Sequence, residues 1–168
     1  YTNIMIIYLK DKNILKIDEF YFKCCIGKNG LTKKKIEGDL KTPKGAFKIG
    51  KLYYRKDRLS PPHSNLSKVP ITKNMGWCDD IRNKKNYNKL IKTKKNIKHE
   101  KLYRNDSKYD LMIPIEYNTK KRILGKGSCI FLHLTKNYKP TAGCIAIKKN
   151  DFFIMLKLIS KNTKIKIS

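Results

Sequence analysis

Three short apolar segments near the start of the chain place the strongest limit on its fold. They are rich in Ile, Tyr and Phe and run over residues 2–9, 12–17 and 20–26. Lys-Asp-Lys-Asn and Asp-Glu pieces, which favour turns, separate them. The pattern predicts a strand, a hairpin and a further strand, so the chain should open as a β-meander.

The rest of the chain continues this β pattern. Further strands are predicted at residues 46–54, 109–118, 127–134 and 163–168. Pro114 cannot donate to a ladder, so its strand is expected at an edge or a bulge. Residues 55–75, with their Pro, Ser and Asn content, predict a long surface loop, a kind of segment that is often functional.

One helix is predicted near the C-terminus. Asn150 is its predicted N-cap, and the apolar side chains behind it follow the i, i+3, i+4, i+7 spacing of an amphipathic helix. These side chains are Phe152, Met155, Leu156 and Ile159. The expected fold class is therefore mainly β with a short C-terminal helix.

Length and charge set the broad class of the protein. The chain has 168 residues, with apolar residues spread throughout, so we expect residues 1–168 to form a single domain. Lys plus Arg total 40 against 13 Asp plus Glu, a net charge of +27. Such a charge attracts nucleic acid, anionic lipid or an acidic polymer. Most of these basic residues are Lys. Asn and Ile are also abundant, and an AT-rich genome produces this joint bias in composition without any binding role.

The five cysteines are Cys24, Cys25, Cys78, Cys129 and Cys144. An odd count without a C-x-x-C spacing indicates neither a disulfide framework nor a zinc ribbon. The apolar run from residue 4 to residue 9 is too short for a membrane span, so no stable membrane insertion is expected. The chain begins at Tyr1, which is compatible with a removed export signal, and localisation has to follow from function.

The stretch "HLTKNYKPTAGCIAI" (133–147) holds the strongest chemical signal. Cys144 is a candidate nucleophile, with His133 as its base and the amides around Gly143 as donors to an oxyanion. Two other interpretations stay open on these residues alone. Cys144 could be a small buried core residue, or it could join Cys129 and His133 in a zinc site. The zinc site is disfavoured because four strand residues would separate Cys129 from His133 by roughly 13 Å.

Several ordered motifs together resemble the L,D-transpeptidase catalytic domain of the YkuD type. They are "GDLKTPKGAFKI" (38–49), "FLHL" (131–134) and "TAGCIAI" (141–147). "GWCDDIRNKKNYN" (76–88) and "HEKLYR" (99–104) are similar to a short, single-domain proteobacterial branch of that family. The resemblance implies a β-sandwich with a Cys and a His in a cleft between its sheets.

The resemblance also implies roles for individual residues. Cys144 matches the family nucleophile, His133 its general base, and Gly143 the glycine beside the oxyanion amides. Thr141 matches the Ser/Thr position of the motif and, with Ala142, is expected to contact substrate. The Thr42-Pro43-x-Gly45 stretch matches a hairpin that is mainly structural.

The chain departs from the family pattern at two positions beside the cysteine. Ala142 stands where the family often has His, and Ala146 stands where it often has Arg. Without that Arg, we expect Arg104 or Tyr103 to hold the carboxylates of the donor peptide. His99 and Trp77, which belong to the other motifs, are interpreted as structural residues.

The resemblance implies a cysteine acyl-transferase of bacterial peptidoglycan that needs no metal or other cofactor. Its partners would be tetrapeptide stems and not nucleic acid. It would act in the periplasm or cell envelope, and we expect it to be a monomer. Family cysteines of this kind are acylated by carbapenems. Hydrolysis of the same thioester, an L,D-carboxypeptidase, is the alternative reaction. A non-enzymatic basic module that binds wall polymer or nucleic acid is the alternative of another class.

Overall fold

A computed structural model of the chain describes residues 4–168, which contain fifteen strands and one helix. The strands are β1 (Ile6–Lys10), β2 (Ile14–Ile17), β3 (Phe20–Cys25), β4 (Leu31–Thr32), β5 (Thr42–Pro43), β6 (Gly45–Lys48), β7 (Leu52–Tyr54), β8 (Lys68–Pro70), β9 (Met75–Cys78), β10 (Leu90–Lys92), β11 (His99–Lys101), β12 (Leu111–Pro114), β13 (Phe131–Leu134), β14 (Ile145–Ile147) and β15 (Lys164–Ile167). The helix α1 spans Lys149–Leu158. The prediction of a mainly β fold with a short C-terminal helix is confirmed.

Ten strands form one large sheet in the order β6-β15-β1-β2-β3-β14-β13-β12-β7-β8. β1, β2 and β3 pair antiparallel in sequence order, which confirms the predicted β-meander. Residues 2 and 3 of its first predicted strand lie outside the described residues. β3 also pairs with β14, so the meander leads directly into the centre of the sheet.

The large sheet curls so that its two ends share one core. Ile7 and Leu15 of the meander and Leu111 and Leu132 of the other end belong to the same cluster of buried side chains. A bridge between residues 49 and 115 links the edge strand β6 to the end of β12 and closes the curl. This arrangement is the sandwich that the family resemblance implies.

α1 begins two residues earlier than the sequence predicts. Lys148, in extended conformation, is the N-cap, and its carbonyl accepts the Phe152 amide, so the prediction of Asn150 as N-cap is wrong. Asn150 lies inside the first turn because the helix follows β14 after a single residue. Phe152, Met155 and Leu156 are fully buried against the sheet, as their spacing predicts.

Two predicted strands are divided or shortened. Residues 46–54 form β6 and β7, which lie at opposite ends of the sheet order and so cannot be one strand. Residues 127–130 are not part of β13, because Cys129 has a positive φ of 54° that an extended strand does not allow. The predicted loop 55–75 contains β8, an edge strand parallel to β7.

Pro114 lies in an interior strand, which corrects the expected edge or bulge. β12 pairs with β13 on one side and with β7 on the other. The pairing with β7 covers only Leu111 and Met112, so it ends before Pro114. A missing amide at the last residue of β12 therefore breaks no bond to β7.

A three-stranded sheet in the order β10-β9-β11 packs over the large sheet through Trp77. The Trp77 ring meets those of Phe131 and Tyr53 edge to face, at centroid distances of 5.3 and 6.4 Å. Its indole N–H donates to Asn88 Oδ1 at 2.9 Å. Trp77 is thus a packing anchor, in agreement with its sequence interpretation. Within the described residues, no helix is long and apolar enough to cross a bilayer.

We expect Phe152→Ala to lower the free energy of unfolding by about 3–5 kcal/mol, because it leaves a cavity between α1 and the sheet. The matched control is Ile154→Ala, on the same helix but 39% exposed, which should cost under about 1 kcal/mol. Urea unfolding followed by fluorescence measures both. Equal losses in the two variants would contradict the packing of α1 described here.

Candidate active site

Parallel pairing of β13 with β14 brings His133 and Cys144 to one region of the sheet. His133 lies opposite Ala146, and Cys144 directly precedes β14. The Phe131 amide lies 3.4 Å from Cys144 Sγ and donates to it. Phe131 and Cys144 belong to the same cluster of buried side chains, and His133 alternates to the same face of β13 as Phe131. The thiol and the imidazole therefore lie on one side of the sheet. We refer to Cys144 and His133 as the candidate pair.

The candidate pair lines a cavity of about 900 Å³. Thr141, Ala142 and Ala146 line it beside the thiol, and residues 104–109 and 134–137 form much of its remaining wall. The volume falls in the range of small-molecule and peptide clefts. The sequence prediction of a cleft around these residues therefore agrees with the geometry.

His133 is oriented by the chain itself. Its Nδ1 lies 2.9 Å from the carbonyl oxygen of Leu134. Since a carbonyl can only accept, Nδ1 carries the proton and Nε2 keeps a free lone pair. Burial lowers the pKa of His133 to about 4, and the positive charges of Lys108 and Arg104 add to this effect. The imidazole is thus neutral at pH 7 and able to accept a proton.

Cys144 rests as a neutral thiol. Its Sγ donates to the carbonyl oxygen of Cys129 at 3.2 Å, and within residues 4–168 no hydrogen bond joins it to His133. Burial, with a smaller contribution from the negative charge of Glu100, raises the pKa of Cys144 to about 12. Sequence reasoning missed the role of Cys129, whose carbonyl reaches the thiol only because of its positive φ.

The loop before Cys144 is tied by the hydroxyl of Thr141. This hydroxyl accepts the Gly143 amide at 3.1 Å and donates to the Cys144 carbonyl at 2.6 Å. Gly143 has a φ of 144°, a value that disfavours any residue with a Cβ. Thr141 therefore both lines the cavity and fixes the loop, while the exposed Ala142 only lines it.

The two residues expected to replace the family Arg differ in their placement. Arg104 lines the cavity, but its guanidinium donates to Asp106 at 2.8 and 2.6 Å and to Glu100 at 3.0 Å. Tyr103 does not line the cavity. Its hydroxyl donates to Asp57 at 3.1 Å, and the Arg55 guanidinium lies 3.6 Å from the centre of its ring.

Three lysines supply cationic groups that the sequence did not single out. Lys108, Lys136 and Lys139 line the cavity, and the ion pairs of residues 4–168 involve none of them. In a chain with so many lysines, their positions carry no signal of their own. Only the fold separates them from the solvated surface lysines.

His99 lies outside the cavity. His99 packs against Gly76, where an added Cβ would come within 2.7 Å of the His99 ring, and its Nδ1 lies 2.7 Å from the Ile97 carbonyl oxygen.

Among residues 4–168, no group of three His, Cys, Asp or Glu residues is arranged to hold a metal ion. Cys129 is not in a strand, so the sequence argument that placed it about 13 Å from His133 does not apply.

The family model described as YkuD, L,D-transpeptidase catalytic domain, matches residues 2–167 of the chain. Among curated proteins, none matches it. Similar solved structures include the helical cell shape determining protein Pgp2 from Campylobacter jejuni, at 19% identity and a TM-score of 0.53, covering 98% of this chain and 47% of that one. Bd1075 from Bdellovibrio bacteriovorus is similar at 16% identity and a TM-score of 0.49, covering 98% and 47%. At these identities the likeness to Pgp2 shows the fold alone, and the chain spans 47% of the length of Pgp2.

We expect alkylation of Cys144 by iodoacetamide to rise about tenfold for each pH unit between pH 7 and 9, because only the thiolate reacts and the pKa of this thiol is about 12. Peptide-resolved mass spectrometry at several pH values gives the rate. A short peptide with a single Cys of ordinary pKa, about 8.5, is the control, and its rate should rise by less than tenfold per unit above pH 8 and level off as the pH passes that value. A rate for Cys144 that stays constant from pH 6 to 9 would indicate a thiolate–imidazolium pair and contradict the neutral resting state.

Proposed function

We propose that this chain, which belongs to the YkuD family of L,D-transpeptidase catalytic domains, is a cysteine acyl-transferase of peptidoglycan stems. One observation carries the proposal. Cys144 and a neutral His133 with a free Nε2 line the same cavity. A thiol and a base that share a cleft are the minimum that acyl transfer through a thioester requires.

The first half of the reaction forms the thioester. The thiol leaves the Cys129 carbonyl and gives its proton to His133 Nε2. The thiolate attacks the carbonyl carbon that follows the third residue of a tetrapeptide stem. The bond from that carbon to the nitrogen of the terminal D-Ala breaks, and His133 returns the proton to the departing amine.

The second half passes the acyl group to a neighbouring stem. An amine attacks the thioester carbon, its proton goes to His133, and the carbon–sulfur bond breaks. The thiolate then takes the proton back, so the enzyme returns to its neutral resting state. Attack by water in place of the amine would give the tripeptide, which is the carboxypeptidase reaction.

The free lysines of the cavity support a revised donor subsite. Stem peptides end in carboxylates, and binding them requires cations that are not already neutralised. Arg104 is held by two acidic side chains, whereas Lys108, Lys136 and Lys139 are not in ion pairs within residues 4–168. We therefore assign binding of the donor carboxylates to these lysines. Arg104 instead forms part of the cavity wall, where its guanidinium lies over the ring of Tyr109.

Action on peptidoglycan implies work in the cell envelope, with the periplasm as the proposed compartment. There, a net charge of +27 favours residence along anionic wall polymers. We keep the prediction of a monomer that does not use nucleic acid as a partner. Salt-sensitive binding without turnover would instead support the basic binding module.

Incubation with purified disaccharide-tetrapeptides followed by mass spectrometry tests the proposed function. We expect cross-linked dimers together with free D-Ala, and a loss of turnover of about 10²- to 10⁴-fold in His133→Ala because the general base is missing. The control is His99→Ala, a half-buried histidine outside the cavity, which should keep its turnover. Tripeptide without dimers would establish the carboxypeptidase, and no product from a folded chain would reject both reactions.

Carbapenem labelling tests which cavity thiol is the nucleophile. Cys144 and Cys129 both line the cavity, so the experiment has to distinguish an adduct on one thiol from an adduct on the other. We expect one adduct, on the peptide that contains Cys144, because acylation needs a base and oxyanion donors beside the sulfur. His133 and the loop of Gly143 are proposed to supply these to Cys144, whereas the Sγ of Cys129 faces the Trp77 carbonyl. Intact-mass and peptide analysis should show the adduct in Cys129→Ala and none in Cys144→Ala. An adduct that remains in Cys144→Ala would refute the assignment.

A further inference from the structure

Thr42, from the hairpin that the sequence marks as structural, is bonded to the loop that holds Cys144. Its side chain is fully buried. The hydroxyl oxygen accepts the Gly27 amide at 2.9 Å, and the hydroxyl donates to the carbonyl oxygen of Gly143 at 2.8 Å. Because a carbonyl cannot donate, the direction of the second bond is fixed. One hydroxyl thus ties together three segments that are far apart in sequence.

The carbonyl that Thr42 binds belongs to the same peptide unit as the Cys144 amide. A peptide unit is planar and trans, so its N–H points opposite to its C=O. Holding the Gly143 carbonyl toward buried Thr42 therefore turns the Cys144 N–H to the opposite side of the loop. Thr141, Ala142 and Cys144 line the cavity and Thr42 does not, so the cavity lies on the side of the loop away from Thr42.

The neighbouring amide is already in use. Gly143 N–H donates to the Thr141 hydroxyl, whereas the turn and loop hydrogen bonds of residues 4–168 leave the Cys144 amide without a partner. Of these two amides, the one beside the nucleophilic sulfur is therefore free to donate to an oxygen in the cavity. Backbone donors at that place are what an oxyanion on the attacked carbonyl needs.

Packing fixes the position of the loop that carries Gly143. A Cβ on Gly143 would come within 2.9 Å of the Lys41 carbonyl oxygen, and one on Gly27 within 2.5 Å of the Leu40 carbonyl oxygen. The loop thus lies directly on the backbone that carries Thr42. This close contact fixes the position of the loop but not the orientation of the Gly143 carbonyl. The hydrogen bond from the Thr42 hydroxyl selects that orientation.

We propose that Thr42 is a positioning residue that aims the Cys144 amide at the oxyanion of the acyl-transfer step. The inference rests on the proposed function, since it needs a tetrahedral intermediate at Cys144. A Thr42→Val variant keeps the shape of the side chain but lets the peptide unit rotate. The Cys144 amide is then no longer held in the orientation that points to the oxyanion, so it stabilises the tetrahedral intermediate less.

Two reactions of the same thiol separate this role from a purely structural one. Acylation by a carbapenem passes through an oxyanion, whereas alkylation by iodoacetamide does not, and both need the thiolate. We expect Thr42→Val to lower the second-order rate of acylation at Cys144 by about 10²-fold, the lower end of the loss on removing one oxyanion donor. The rate of alkylation should stay at the wild-type value.

Controls make the result specific. Thr42→Ser keeps the hydroxyl and should restore acylation. Thr163→Val is the matched control, because Thr163 is also fully buried and accepts a loop amide, that of Ser160, away from the cavity. It should lower stability in urea without changing either rate. If Thr42→Val does not fold, Thr42→Ala is measured in the same way.

The outcomes separate failure of this inference from failure of the proposed function. Wild-type acylation in folded Thr42→Val or Thr42→Ala would overturn the role of Thr42 and leave the proposed function standing. Equal losses of acylation and alkylation would make Thr42 a structural residue and also overturn it. A wild-type chain that is alkylated but never acylated would overturn both.

Discussion

The parallel pairing of β13 with β14 is the constraint on which the candidate site depends. His133 and Cys144 are eleven positions apart in sequence, and this pairing brings them close together across the β13–β14 ladder. Both strands lie inside the ten-stranded sheet, with β12 and β3 as their outer neighbours. Backbone hydrogen bonds therefore hold the thiol and the imidazole from both sides, and the residues between them are free to form the rim of the cavity.

Burial sets the chemistry of this pair. Both groups are almost removed from water, which penalises the charged form of each and keeps the thiol protonated and the imidazole neutral. The thiol donates to the Cys129 carbonyl, and Cys129 has a left-handed backbone conformation in which its amide donates to Asn88 Oδ1 at 3.2 Å. Backbone strain of this kind, beside a nucleophile, is typical of functional sites.

Acidic and basic side chains both line the cavity. Although acidic residues are few, Glu37, Asp79, Glu100 and Asp106 all line it. Two of these neutralise Arg104, so the most obvious cation near the thiol is not available to a ligand. The net charge of +27 therefore bears on long-range attraction to anionic polymers, whereas recognition in the cavity depends on which charges remain unpaired.

The sequence by itself determined the mainly β fold, the C-terminal helix and the identity of the candidate pair. Alternating strands, helical spacing and the residues around Cys144 are local patterns, which the chain carries before it folds. Only the tertiary structure decided that residues 46–54 form two strands, that Tyr103 lies outside the cavity, that Arg104 is already paired, and that Cys129 faces the thiol. Each of these depends on partners brought together by ladder register and packing, and such partners leave no periodic signal in the sequence.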